Sequence, residues 1–179
     1  MKLEIELPDA GEILKVGRVV PIARKKEAWS SACLGGIQKE KGVYVIHYAG
    51  RIMYVGKTDG PKMDFGTRLR REFQETASQN KHIYPKLCAL PVPPDIVVHC
   101  FPLSVIKQLV KAADRELHSF QLVGIFETAL IYHLEPELQE HHVNAVAHQV
   151  GKVITKLIGS EPNAEKKLII HSWVKDRMT

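Results

Sequence analysis

The sequence is poor in cysteine and contains no long apolar run. Its three cysteines, Cys33, Cys88 and Cys100, are scattered and lack the spacing of metal ligands. This usage argues against a disulfide framework and indicates reduced thiols in a cytoplasmic protein. No stretch approaches the roughly 18 consecutive apolar residues of a membrane-spanning helix. The acidic amino terminus lacks the apolar centre of a secretory signal. We therefore expect a cytoplasmic protein without a membrane partner.

Internal repeats and low-complexity tracts are also absent. Hydrophobic residues make up 45% and charged residues 25% of the 179-residue chain, as in a globular protein with a sizeable core. The formal net charge is +5. Such a basic balance suits a polyanionic partner such as nucleic acid, although many basic proteins bind none.

A β-hairpin is predicted between Gly42 and Gly56. Its two runs are rich in β-branched and aromatic residues, which suit a pleated, half-buried surface. Ala49-Gly50-Arg51 separates the runs and suits a turn, because glycine adopts positive φ readily. The strand-forming residues are Val43, Val45, Tyr48, Ile52, Tyr54 and Val55.

Helical periodicity begins after the hairpin. Phe65, Leu69 and Phe73 are four residues apart, which predicts a helix over about 66–78. Further patterns predict an edge strand at 1–8, a buried third strand at 96–101, and amphipathic or apolar helices at 103–117, 120–134 and 146–158. We therefore expect an α/β (α+β) fold in which a small antiparallel three-stranded sheet is flanked by helices.

The side chains in and after the hairpin suit an anion. Tyr44 and Tyr54 place two hydroxyls on paired strands, and Lys57 and Arg68 follow. Lysine and arginine supply charge and donors for phosphate oxygens, and arginine does so with a two-pronged fork. The alternative is that the tyrosines are ordinary sheet aromatics and that the arginine is a solvated helix residue.

Two other kinds of site do not fit the spacing. Residues 50–58 (GRIMYVGKT) hold five residues, rather than four, between the first glycine and the Gly-Lys pair of a P-loop, and their composition is that of a strand. His133, His141 and His142 lack accompanying ligands at the spacing of a zinc site. We expect neither a nucleotide-hydrolysing P-loop nor a zinc centre.

The hairpin and the segments after it resemble the GIY-YIG nuclease family. Gly42-Val43-Tyr44 stands where the family has Gly-Ile-Tyr, and Tyr54-Val55-Gly56 stands where it has Tyr-Ile-Gly. Arg68 matches the family's active-site arginine. Glu127 matches its metal-binding glutamate, and Asn144 matches the asparagine that closes its domain. The order of the matches follows that of the family.

The resemblance divides the chain into a core and two extensions. It covers residues 41–145, which are expected to form a GIY-YIG-like catalytic core. Residues 1–40 form an N-terminal extension and residues 146–179 a C-terminal helical extension, and all three are expected to make one compact unit.

The resemblance implies a metal-dependent endonuclease that hydrolyses DNA phosphodiester bonds with one Mg²⁺ or Mn²⁺ ion. Glu127 would hold the ion, with waters and a phosphate oxygen completing the shell. Arg68 would offset charge on the phosphoryl oxygens. Tyr44 would act as the base where nearby cations favour its phenolate. Three more residues complete the expected site: Tyr54, which is counted among the active-site residues, and Gly56 and Lys57, at the end of the hairpin and the start of the loop after it, which support them.

Three positions keep more than one interpretation. Many family members carry His or Tyr four residues after the arginine, whereas this chain has Glu72, which could pair with Arg68, bind metal or face water. Glu127 lies among apolar residues, where a buried carboxylate needs a metal or an arginine partner, or else it lies on a water-facing helix edge. Asn144 suits helix capping as well as a role in the site.

DNA is the expected partner, and the choice of DNA over RNA is left open. Lys62, Arg70 and Arg71 are candidate contacts to its backbone, although such charges are more often merely solvated. The alternative function is a catalytically impaired nucleic-acid-binding module on the same fold, which Glu72 favours. A protein-interaction module would leave the basic hairpin and helix unexplained. The chain length favours a compact restriction-type or phage-type enzyme. The oligomeric state is left open, a homodimer included.

Overall fold

The computed structural model of the chain describes residues 3–6, 10–25, 28–30, 34–58, 60–72, 83–89, 96–112, 117–139 and 168–171. Its helices are α1 (Ala10–Val16), α2 (Phe65–Glu72), α3 (Ile83–Cys88), α4 (Leu103–Leu109) and α5 (Ser119–Leu134), with a 3₁₀ turn at Gly35–Ile37. Its strands are β1 (Leu3–Glu6), β2 (Arg18–Lys25), β3 (Ala28–Ser30), β4 (Gly42–Tyr48), β5 (Arg51–Thr58), β6 (Ile96–Pro102), β7 (Lys111–Ala112) and β8 (Leu168–His171). The fold is mixed α/β.

The central antiparallel sheet is larger than the sequence predicts. Its strand order is β3-β2-β6-β4-β5, in which β3 is a short addition to four longer strands. The predicted strands β4, β5 and β6 are confirmed, but the expected total of three is wrong. The extra long strand, β2, pairs with β6 along 18–22. The sequence indicates β2 only weakly, because Pro21 interrupts the apolar pattern of the buried residues Val20 and Ile22.

The predicted β4–β5 hairpin is confirmed. Tyr44 lies opposite Gly56 and Val43 lies opposite Lys57 in its register. The turn residues Ala49 and Gly50 have φ of 47° and 82°, and two-residue hairpin turns of type I′ require such positive values at both positions. The second strand continues to Thr58, so most of the P-loop-like segment 50–58 lies in a strand, as expected.

Helices cover both faces of the central sheet, which explains why β4 is buried along nearly all of its length. Successive strand residues point to opposite faces. Val43 and Val45 therefore face a core shared with α1, α4 and α5. Tyr44 and Ile46 face a second core, shared with α2 and α3. Tyr44 and its neighbours Val43 and Val45 therefore point into two separate cores.

The segment that follows α5 covers the outer side of β5. Backbone N–H groups of Glu137 and Leu138 donate to the carbonyls of Ile52 and Met53, at 3.1 and 2.8 Å. Arg51 forms an ion pair with the Glu137 carboxylate. An uncovered edge strand invites pairing with other chains, and this segment closes that edge beside the hairpin.

A small second sheet changes two expectations. Its order is β7-β1-β8, so β1 is the central strand and not the expected edge strand. The predicted helix at 103–117 ends at Leu109, after which Lys111 and Ala112 pair with β1. The predicted helix at 120–134 is confirmed as α5. The helix expected at 146–158 lies outside the described residues.

No helix among the described residues is long and apolar enough to cross a membrane.

Candidate active site

Tyr44 lies at the centre of the site and is fully buried. Its hydroxyl occupies the space above the glycine opposite it in the hairpin. A Cβ added to Gly56 would come within 2.4 Å of the Tyr44 hydroxyl oxygen and 2.9 Å of a Tyr54 ring carbon. Gly56 therefore supports the site by leaving room for both tyrosines, a role that the sequence predicts only in outline.

We expect Gly56→Ala to lower the free energy of unfolding by about 1–3 kcal/mol, because an added methyl overpacks a fully buried region. Urea denaturation followed by circular dichroism measures the change. Gly36→Ala is the control, since a Cβ there meets no atom within 4 Å. A Gly56 variant as stable as the Gly36 variant would contradict this packing.

Helix α2 carries Arg68 and Glu72 towards Tyr44. The helix begins where the Asp64 carboxylate accepts a 2.7 Å hydrogen bond from the backbone N–H of Thr67, as a cap does. Phe65 and Leu69 are fully buried and anchor the helix on the sheet. Residues 68 and 72 are one helical turn apart, so their side chains share a face.

Tyr44, Arg68 and Glu72 form one hydrogen-bonded cluster. The Tyr44 hydroxyl donates to Glu72 Oε1 at 2.5 Å. Arg68 Nε lies 2.8 Å from the same carboxylate oxygen and donates to the Tyr44 hydroxyl at 3.1 Å. Glu72 is fully buried, and the Arg68 side chain is 17% exposed. Of the three interpretations of Glu72, this geometry agrees with pairing to Arg68.

The surroundings of Tyr44 oppose the phenolate that the sequence led us to expect. Burial raises the pKa of Tyr44 well above its usual value, and the negative charge of Glu72 raises it further. Arg68 lowers that pKa by a smaller amount. In this structure the Tyr44 hydroxyl is a hydrogen-bond donor to a carboxylate, so its role is to join the strand to α2.

Tyr54 extends the cluster towards the solvent. Its ring lies 6.2 Å from that of Tyr44 between centroids, and it is only partly buried. Burial, followed by the charge of Glu72, raises the pKa of Tyr54 to about 12, although a hydrogen bond from Arg68 acts in the opposite direction. The charge of Glu127 also raises this pKa. Tyr54 is therefore coupled both to the buried cluster and to α5.

Arg68 stays charged in this setting. Burial lowers its pKa, but the neighbouring Tyr44 and Glu72 outweigh that effect and raise the pKa overall. A guanidinium held through Nε keeps its planar fork in a fixed orientation. The cluster therefore supplies a permanent, oriented cation on the partly exposed Arg68 side chain of α2.

Lys57 and Glu127 form a second group on the opposite face of β5. Lys57 is opposite Val43 in the register and shares its face, on which α5 packs. Its Nζ lies 3.0 Å from Glu127 Oε2, with side chains 34% and 17% exposed. Lys57 is thus not beside Tyr44. The link between the two groups is electrostatic, because the charge of Glu127 raises the pKa of Tyr54.

The residues around Glu127 fit one hard divalent cation with few protein ligands. In the described part of the chain, no three His, Cys, Asp or Glu side chains are grouped to hold a metal. Mg²⁺ is often bound by one or two carboxylates, with waters and substrate phosphates as its other ligands. Glu127 is partly exposed, and a divalent ion would have to share its carboxylate with the Lys57 ammonium. This donor set suits Mg²⁺ or Mn²⁺ better than Zn²⁺, which prefers nitrogen and sulfur.

The candidate DNA contacts are exposed, and the two on α2 lie at different angles from Arg68 around the helix. Lys62, Arg70 and Arg71 all lie at the surface. At about 100° per residue, Arg71 is roughly 60° from Arg68 around α2, whereas Arg70 is roughly 160° away. Arg71 is therefore better placed than Arg70 to contact a strand lying on Arg68. Asn144, His141 and His142 lie outside the described residues.

The structure brings four of the expected residues into one cluster and places two others on the opposite face of β5. Tyr44, Tyr54, Arg68 and Glu72 form the cluster, and Lys57 and Glu127 form a separate ion pair. The sequence does not predict the burial of Glu72, although its spacing of four residues from Arg68 indicates an ion pair on one face of a helix. Comparison with family models, curated proteins and solved structures finds no match. The nuclease hypothesis therefore depends on these residues and their geometry.

Proposed function

We propose that the protein is a metal-dependent endonuclease of the GIY-YIG type that hydrolyses DNA phosphodiester bonds. The observation that carries the proposal is the cluster of Tyr44, Tyr54 and Arg68, which come from two strands and a helix, together with the effect of the Glu127 charge on the pKa of Tyr54. An ordinary solvated arginine would not be held by a fully buried tyrosine and carboxylate. The net charge of +5 agrees with an anionic substrate.

The chain's own residues supply binding and orientation. Arg68 binds the phosphodiester and offsets the charge that develops on its oxygens during attack. Lys57 is the more exposed member of its ion pair, and it contacts a phosphate through its remaining donors. Tyr54, on the same face of the sheet as Arg68, orients the phosphodiester bound there through its hydroxyl. Tyr44 does not reach the substrate in this arrangement and holds Arg68 in place.

Glu127 would hold the divalent ion. A bound Mg²⁺ or Mn²⁺ would polarise the phosphate, lower the pKa of a bound water and stabilise the leaving oxygen. We assign no side chain as the general base, because the surroundings of Tyr44 favour its protonated form. The proposed enzyme is of the restriction or phage type and acts in the cytoplasm.

A nucleic-acid-binding module that has lost catalysis is the second candidate. It is favoured by the internal pairing of the site: Glu72 takes hydrogen bonds from Tyr44 and Arg68, and Lys57 neutralises Glu127. Such a module would bind DNA with the same basic surface and leave it intact.

A labelled DNA duplex distinguishes the two candidates. A mobility-shift experiment in Ca²⁺ measures binding, and a denaturing gel after incubation in Mg²⁺ or Mn²⁺ measures cleavage. The endonuclease binds and cleaves the duplex, and EDTA stops the cleavage. Binding without cleavage in either metal supports the impaired module. Absence of both binding and cleavage contradicts both candidates.

A further inference from the structure

The carboxylate of Glu72 is unusual among the charged groups of the described structure, because it is fully buried. A buried carboxylate is costly unless it is paired and hydrogen-bonded. Here one carboxylate oxygen accepts a hydrogen bond from the Tyr44 hydroxyl at 2.5 Å and lies 2.8 Å from Arg68 Nε. Both partners belong to the proposed site, and no described contact would let Glu72 itself reach a substrate.

We propose that Glu72 is a positioning residue that fixes Arg68 and Tyr44 and, by its charge, weakens the binding of DNA. The inference rests on the proposed nuclease function for its kinetic part. Each hydrogen bond to the carboxylate restricts one rotamer-rich side chain. The Arg68 fork is then oriented before a phosphate arrives, which lowers the entropy lost when the phosphate is aligned for attack.

The charge of Glu72 has the opposite effect on affinity. It partly neutralises Arg68, the cation of the cluster. It also repels an approaching phosphate at short range, in a region of low effective dielectric constant. Glu72 therefore improves the orientation of Arg68 and at the same time lowers the affinity for DNA. A residue with only a structural role would not tighten DNA binding when it is replaced.

Glu72→Gln separates these two effects, because glutamine keeps the size and an acceptor oxygen but lacks the charge. We expect DNA to bind about three- to tenfold more tightly. We also expect a bound duplex to be cleaved about ten- to a hundredfold more slowly, since the arginine is held less firmly. Fluorescence anisotropy with a labelled duplex in Ca²⁺ measures the affinity, and single-turnover cleavage in Mg²⁺ measures the rate. Glu137→Gln, which removes an exposed carboxylate, is the matched control.

An NMR measurement tests the positioning without any need for activity. The Arg68 Nε–Hε resonance, assigned by its loss in Arg68→Lys, should lie downfield in the wild type and shift towards the solvent-exposed position in Glu72→Leu. Tyr44→Phe removes one donor to Glu72 and should also move this resonance, which keeps the test decisive where the Leu variant does not fold.

Three results would overturn the inference. The first is DNA affinity that is unchanged or weaker in Glu72→Gln, and the second is an unchanged cleavage rate. The third is an Arg68 resonance that is indifferent to both the Leu variant and Tyr44→Phe. Variants that shift the resonance as expected, together with a wild type that binds DNA but never cleaves it, would contradict the proposed nuclease function while leaving the positioning role intact.

Discussion

Glu127→Gln is expected to reduce Mg²⁺-dependent nicking of supercoiled plasmid by about a thousandfold or more. The amide is nearly the same size as the carboxylate, but it lacks the charge that would hold the divalent ion. The fold should be nearly unchanged, because Glu127 is partly exposed on α5. DNA binding should not weaken, because the change removes a negative charge that neutralises Lys57. Initial rates of conversion from supercoiled to open-circular plasmid give the comparison.

The control for this prediction is Glu137→Gln. Glu137 also forms an ion pair with a β5 residue, Arg51, but it lies at the far end of the strand from Lys57. Its replacement should leave the nicking rate within about twofold of the wild type, since an exposed ion pair contributes little. Nicking that persists undiminished in Glu127→Gln would remove Glu127 from the mechanism.

Arg68→Leu is expected to destabilise the fold as well as to abolish activity. The change leaves the fully buried Glu72 without its cationic partner, and breaking such a pair costs about 3–5 kcal/mol. The free energy of unfolding, from chemical denaturation at neutral pH, measures the loss. Arg70→Leu on the exposed side of the same helix should change it by less than about 0.5 kcal/mol.

A set of combined variants separates the ion pair from simple packing. Arg68→Leu with Glu72→Leu removes both charges, and apolar replacements of a buried pair are often neutral or stabilising. Adding Tyr44→Phe removes the hydroxyl that would otherwise be left without its acceptor. We expect the triple variant to recover most of the lost stability. A triple variant as unstable as Arg68→Leu alone would show that the cluster is not electrostatically coupled.

The hairpin and the long helix could be predicted because their signals are local. β-branched runs around Gly50 indicate a hairpin, and apolar residues four apart from Phe126 onwards indicate α5. Strand β2 gave a weaker signal, because Pro21 and a basic end hide its alternation. The second sheet pairs residues near positions 5, 112 and 169, and no local pattern specifies partners so distant in sequence.

The residue types of the site could be predicted, but their arrangement could not. The i, i+4 spacing of Arg68 and Glu72 made an ion pair plausible. That Tyr44 donates to Glu72 depends on the register that sets Tyr44 opposite Gly56, and a shift of one residue would reverse the face. The same register puts Lys57 on the α5 face, beside Glu127 and away from Tyr44, which the sequence did not indicate.

The account is tested most directly by the rate at which the wild-type protein nicks supercoiled plasmid as Mg²⁺ is added back after treatment with EDTA. We predict no nicking without the metal, and a saturable rise with a Hill coefficient of about one, because Glu127 alone would hold a single ion. Nicking that continues in EDTA would contradict this account. A protein that binds the plasmid but leaves it intact at every Mg²⁺ and Mn²⁺ concentration would also contradict it.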